Sequence, residues 1–158
     1  GQLDVGFVHT QRVPAELSRL LFATEPFLGC LPQGHALARS RRLALHKLEG
    51  EPFVMFSRTA SPDYYERVLA ICSEAGFYPD VQHEARHWLS VVSLVAQGVG
   101  VSLVPAALKG SALPGAVFVP IEPSNARSEV FCVWRGADDQ AGAQAFVEAV
   151  RAAAPAPA

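Results

Sequence analysis

Leu94-Val-Ala-Gln-Gly-Val-Gly-Val-Ser-Leu-Val-Pro105 constrains the fold more than any other stretch of the sequence. An apolar helix end runs into Gly98, and a short β-branched run follows and closes on Pro105. A helix that stops on a glycine and turns at once into a buried strand is the joint of an α/β ligand-binding lobe. Gly98 and Gly100 are expected to serve the helix stop and close packing. They lack the third glycine and the following helix that a dinucleotide loop needs.

The neighbouring segments agree with that reading. Leu3-Asp-Val-Gly-Phe-Val8 is β-branched and hydrophobic almost throughout, as a strand is. Leu17 to Ala23 and Phe27 to Leu31 read as two extended segments broken at Pro26, and Pro32-Gln-Gly-His35 carries turn chemistry. Pro52-Phe-Val-Met-Phe56 is a short buried strand. Ser61 to Gly76 has Ser at the N-cap, Pro at the first helical position and Gly past the end, with Tyr65, Val68, Leu69 and Cys72 at helical spacing. Pro79 to Ala85 alternates like a strand, Trp88 to Gln97 is a second helix, and Val99 to Val104 returns as a strand. Pro105 to Gly110 reads as a helical turn, Val117 to Ile121 and Val130 to Trp134 as strands, and about Asp138 to Ala153 as an amphipathic helix. Strand, helix, strand, helix, strand is the order of an α/β domain.

Composition narrows the function classes. A chain of 158 residues, 50% of them hydrophobic, can bury roughly 70% of its unfolded surface. The formal charge of −2 lacks the basic excess of a nucleic-acid-binding module. Arg39-Ser-Arg-Arg42 is the one dense basic run and reads as a solvated loop. Cys30, Cys72 and Cys132 share no C-x-x-C spacing and sit in apolar runs, so reduced buried thiols and a cytoplasmic protein are expected. No apolar run reaches the ~18 residues of a membrane span, and no signal segment opens the chain, so no membrane partner is expected. Residues 154–158 read as a disordered tail.

His83-Glu-Ala-Arg-His87 matches the H-E-x-x-H pattern of zinc hydrolases, which binds metal through two His one helical turn apart. Here His83 and Glu84 fall in a predicted strand, which sends them to opposite faces. Nor does the sequence hold a G-x-S-x-G elbow, and Cys30 and His35 lack a third orienting group. No catalytic residue, metal or cofactor is assigned. The polar signal instead lies at element ends: His9 and Thr10 after the first strand, Ser57 to Ser61 with Arg58 before a helix, and Arg86 and His87 before another. Carboxyl ends of strands line ligand crevices in α/β sheets, and helix N-termini favour anions.

Leu3-Asp-Val-Gly-Phe, Phe27 to Ala38, the Ser61-Pro helix ending in Ala75-Gly-Phe-Tyr-Pro79, and Leu94 to Pro105 together resemble the effector-binding domain of LysR-type transcriptional regulators. The resemblance implies a periplasmic-binding-protein-like fold, type 2, of two α/β lobes joined by crossing strands, with the effector in the cleft between them. On that scheme residues 1–20 belong to an incomplete first lobe and its crossing, 21–104 form the second lobe, and 105–153 return to the first. It places His9 where aromatic-acid-sensing members contact an effector carboxylate, Pro62 and Tyr64 at the helix start that meets the ligand, and Ala85 at a small wall position. His9 stands where some relatives carry Arg, and a His with ordinary pKa is only partly charged at neutral pH. The implied partners are a small polar or acidic metabolite and further copies in a homodimer or homotetramer. DNA would be bound only through a winged helix-turn-helix domain outside this sequence. An extracytoplasmic solute-binding protein would share the fold, and a zinc hydrolase through His83, Glu84 and His87 is the remaining alternative.

Overall fold

The computed structural model describes residues 3–10, 12–111, 113–122, 125–135 and 141–154. The chain divides into two compact units, Gly1–Thr24 with Ser128–Ala158, and Glu25–Arg127. The second unit therefore extends past 104. Its added strand, Ala116–Glu122, pairs antiparallel with residues 28–32 and so packs with them.

Unit 1 is built on β1 (Val5–Val8) and β8 (Arg127–Arg135), antiparallel from Val5 opposite Trp134 to Val8 opposite Phe131. The other neighbour of β8 is β2 (Leu17–Pro32). α3 (Ala141–Ala153) turns Val147 and Val150 inward. The expected helix start near Asp138 and the tail from 155 lie outside the described residues.

Unit 2 begins with the second half of β2. The expected break at Pro26 is absent, and β2 is one strand of 16 residues. Proline removes a ladder donor, but the ladders to β6 (Ser102–Pro105) and β7 (Ala116–Glu122) begin at Phe27 and Leu28, so no bond in them is lost at Pro26. β3 (Leu43–Ala44), a short strand the patterning does not reveal, lies parallel to β7. β4 (Pro52–Phe56), α1 (Pro62–Glu74), β5 (Asp80–Ala85) and α2 (Trp88–Ala96) follow, with β4 and β5 parallel. Val101 bridges Phe53 in parallel, its N–H donating to Pro52 O at 2.8 Å and its carbonyl accepting from Val54 N–H at 2.8 Å. The expected strand from Val99 to Val104 thus divides its pairing, with Val101 beside β4 and residues 102–105 against β2.

Side-chain alternation separates the interior of unit 2 into two cores. Phe27 and Leu31 of β2, Phe53 and Met55 of β4, and Leu103 of β6 enter one with Tyr64, Val68, Ile71 and Cys72 of α1. Leu28, Cys30, Val54 and Val104 enter the other with Val91, Val92 and Val95 of α2. Strands buried on both faces have no polar side to show, which is why their sequences run hydrophobic without interruption. Tyr64 brings a polar group into the first of these cores and reaches across it. Its ring packs on Phe27 and Trp88, with centroids 5.4 and 4.7 Å away, and its hydroxyl donates to Leu103 O at 2.8 Å. Burial first, then Glu25 and Cys30, push this phenol well above its ordinary pKa, so the hydroxyl stays a donor.

The two glycines after α2 act as the sequence suggests. Gly98 has φ +78°, in the left-handed region that ends helices. Gly100 passes so close to β4 that a Cβ there would collide with the Pro52 carbonyl. Urea denaturation should therefore show Gly98→Ala costing about 1–2 kcal/mol from backbone strain and Gly100→Ala about 1–3 kcal/mol from overpacking. An unchanged midpoint for Gly100→Ala would refute the close approach. Tyr64→Phe, which removes the nearer of two hydroxyls donating to Leu103 O and leaves Ser102 Oγ at 3.4 Å, should cost about 0.5–1.5 kcal/mol in the same measurement.

Candidate functional site

The last residues of β4 and β5, Phe56 and Ala85, lie opposite each other in a parallel pair, so both strands end at one edge. Ser57 N–H donates to Ala85 O at 2.9 Å and ties the two exits together. From there each chain enters a helix: α1 after Ser61 and α2 after His87. Both N-cap residues lie outside helical backbone, Ser61 at φ −147° and His87, which is extended, at −132°, and neither side chain caps its helix. Two helix N-termini, each with a partial positive charge, thus meet at one edge of unit 2.

The connection from β4 to α1 is a tight turn closed by Ser57. Its carbonyl accepts from the N–H groups of Ala60 and Ser61 at 3.1 and 3.0 Å, and its Oγ bonds Thr59 Oγ1 at 3.0 Å. Arg58 leaves this turn with its N–H donating to Glu84 Oε2 at 3.2 Å and its guanidinium to Glu66 Oε1 at 2.5 Å. The guanidinium carbon also lies 5.5 Å from the centre of the Tyr65 ring. Arg58 and Glu66 are 62% and 47% exposed, and exposed pairs of this kind contribute about 0–1 kcal/mol. Arg86 and His87 are exposed at the other exit. The apolar element is Trp88, half-buried and 4.4 Å from Phe56 ring to ring, followed by exposed Leu89.

The edge therefore gathers Arg58, Ser61, Pro62, Ala85, Arg86 and His87 from two connections. Tyr64 belongs to the same helix start, but it is buried beneath Trp88 and Phe56 with its hydroxyl committed to Leu103, so it supports the wall. Ser57 was among the polar residues expected at element ends, whereas Trp88 was expected only as the start of a helix. Trp88 carried a signal, since an aromatic opening a helix directly after two polar residues marks an apolar surface beside a polar edge.

His9 and Thr10 belong to unit 1. His9 Nδ1 is hydrogen-bonded with Ser128 Oγ at 3.1 Å, and Ser128 is buried. Burial holds the His9 pKa below its usual value. Thr10 Oγ1 accepts from Arg12 N–H at 3.0 Å. Ser128 is 119 positions from His9, and nothing in the intervening sequence points to the pairing.

The H-E-x-x-H match does not form a helical metal site. His83 and Glu84 lie in β5 opposite Val54 and Met55, on alternate faces, and His87 is the extended residue before α2. Cys30 is no better placed as a nucleophile, because burial pushes its thiol up to about 12. In the basic run Arg42 pairs with Glu122 at 3.9 Å, and Arg39 and Arg41 are exposed. Among the described residues no helix is long and apolar enough to cross a membrane.

Known proteins share this architecture. The family model of the LysR substrate binding domain matches residues 1–155. YnfL of Escherichia coli (strain K12), an HTH-type transcriptional regulator, is 31% identical over 134 residues, covering 85% of this chain and 45% of YnfL. The crystal structure of CbnR, a LysR family transcriptional regulator, superposes with a TM-score of 0.83 at 20% identity, over 97% of this chain and 53% of that one. The BenM effector-binding domain with its effector benzoate superposes with a TM-score of 0.70 at 22% identity, over 98% and 73%. The chain spans about half the length of the curated relatives it matches. With a family match running through nearly all of the sequence and the α/β fold of solved effector-binding domains, the chain belongs to the LysR substrate-binding domain family.

Proposed function

We propose that this chain is the effector-sensing part of a LysR-type transcriptional regulator and that its ligand is a small organic carboxylate with an apolar body. The observation that carries the ligand class is the meeting of two helix N-termini without side-chain caps at the joined ends of β4 and β5, beside the Trp88 and Phe56 wall. Each N-terminus favours an anion by about 0.3–1 kcal/mol, and up to ~2 when partly buried. Arg86 and His87 add charge or donors, Ala85 leaves room, and Trp88 with Leu89 supplies apolar area. BenM, of the same fold, takes benzoate, an acid of this description.

The two compact units correspond on this reading to the two lobes of the family. Effector binding biases the domain by the modest differential, about 1–3 kcal/mol, that allosteric coupling requires. The response passes to DNA through a winged helix-turn-helix domain of the longer protein, as a homodimer or homotetramer in the cytoplasm. No step requires a bond to be made or broken.

Thermal denaturation with benzoate and with uncharged benzyl alcohol tests the ligand class. A carboxylate at 100 times its Kd should stabilise by about 2.7 kcal/mol, and the alcohol should have little effect. Equal stabilisation by both, or none by either, overturns the reading. Arg86→Ala should weaken benzoate binding about tenfold, close to 1.4 kcal/mol, while the ligand-free melting temperature stays unchanged.

His9 makes a separate prediction about pH. Its folded-state pKa is lowered by burial, so as pH falls the unfolded chain takes up this proton first. The stability it contributes is complete above about 6.5 and is lost as pH drops from there through the folded-state value. Urea denaturation between pH 7 and 5 should show a flatter stability profile for His9→Gln than for the wild type.

A further inference from the structure

Arg58 is held in a way that the effector reading leaves unused. Its backbone is fixed at one end by Glu84 and at the other by the Ser57 turn, so the side chain alone is left to move. That side chain already has a carboxylate, since Glu66 on α1 accepts from the guanidinium and the Tyr65 ring lies beneath it. The pair is exposed on both sides, and water screens it enough for another carboxylate to replace Glu66. A guanidinium has five donors, and a ring beneath it leaves its edge open to a planar acceptor.

We propose that Glu66 is an internal competitor for the effector's carboxylate at Arg58 and so sets both the affinity and the selectivity of the site. This rests on the reading of the strand-end edge as the effector site. In this structure the guanidinium is on Glu66. A bound acid takes it over, and the Glu66 carboxylate returns to water. Asp63 on the first turn of α1 and Glu84 at the end of β5 add negative charge to the same edge. A bare inorganic anion meets that opposition with nothing to offset it. An acid with an apolar body also covers Trp88 and Leu89, and that added contact lets it displace Glu66.

Calorimetric titration of the whole chain with benzoate tests this through a double-mutant cycle. Glu66→Gln should bind benzoate about fivefold more tightly than the wild type, and Arg58→Met several-fold more weakly. The gain should vanish in the Arg58→Met/Glu66→Gln double variant. Unchanged or weaker affinity in Glu66→Gln overturns the competition. So does a gain that persists without Arg58, because the substitution would then act only by removing a negative charge. If no variant and no wild-type protein binds benzoate, the carboxylate reading of the site falls and the competition with it. Binding that ignores these substitutions removes the competition alone.

Discussion

Everything in unit 2 depends on strands that are covered on both faces. Residues 27–31 of β2, 53–55 of β4 and 101–105 have no side turned to water, and their large apolar side chains divide between the core under α1 and the core under α2. Helices can pack on both sides only if the strands come close enough to leave no gap, and the Gly100 backbone against the Pro52 carbonyl is where that demand is sharpest. The same packing aligns the ends of β4 and β5. The polar edge is therefore a result of core geometry, since the two helix N-termini meet where the apolar strands run out.

Much of this order could be read from the residues. Ser61, Pro62 and Gly76 marked both ends of α1, and Gly98 marked the end of α2, because these residues act through local backbone chemistry. Pro26 misled for a non-local reason, since its missing donor matters only if a neighbour needs it, and the β2 ladders to β6 and β7 start at Phe27 and Leu28. β3 is two residues long, too short for any alternation, and its pairing with β7 is set by distant packing. At the site, Ser61, Arg86 and His87 were legible as residues between strand and helix. The depth of Tyr64 was not, because a tyrosine at a helix start can face either way until Trp88 and Leu103 are placed around it.

The site edge is also less cationic than its arginines suggest. Arg58 is matched by Glu66 and Glu84. A sensor gains from such balance. Its ligand must be distinguished from the many anions of a cell, and a site with uncompensated positive charge would hold phosphate or chloride as readily as a metabolite. On the proposed reading, matching charge with charge leaves the apolar contact at Trp88 to decide.

The pairing of β2 has a consequence for the order in which the chain can assemble. β4, α1, β5 and α2 are neighbours in sequence and can close on one another locally. Phe27 to Leu31 must wait for Pro105 to Ser102 and for Val117 to Pro120, and closing loops of that size is entropically slow. During synthesis β2 therefore emerges first among its partners and is satisfied last. Until then it is an apolar ribbon with both edges open, the part of the nascent chain most in need of protection from pairing with the wrong strand.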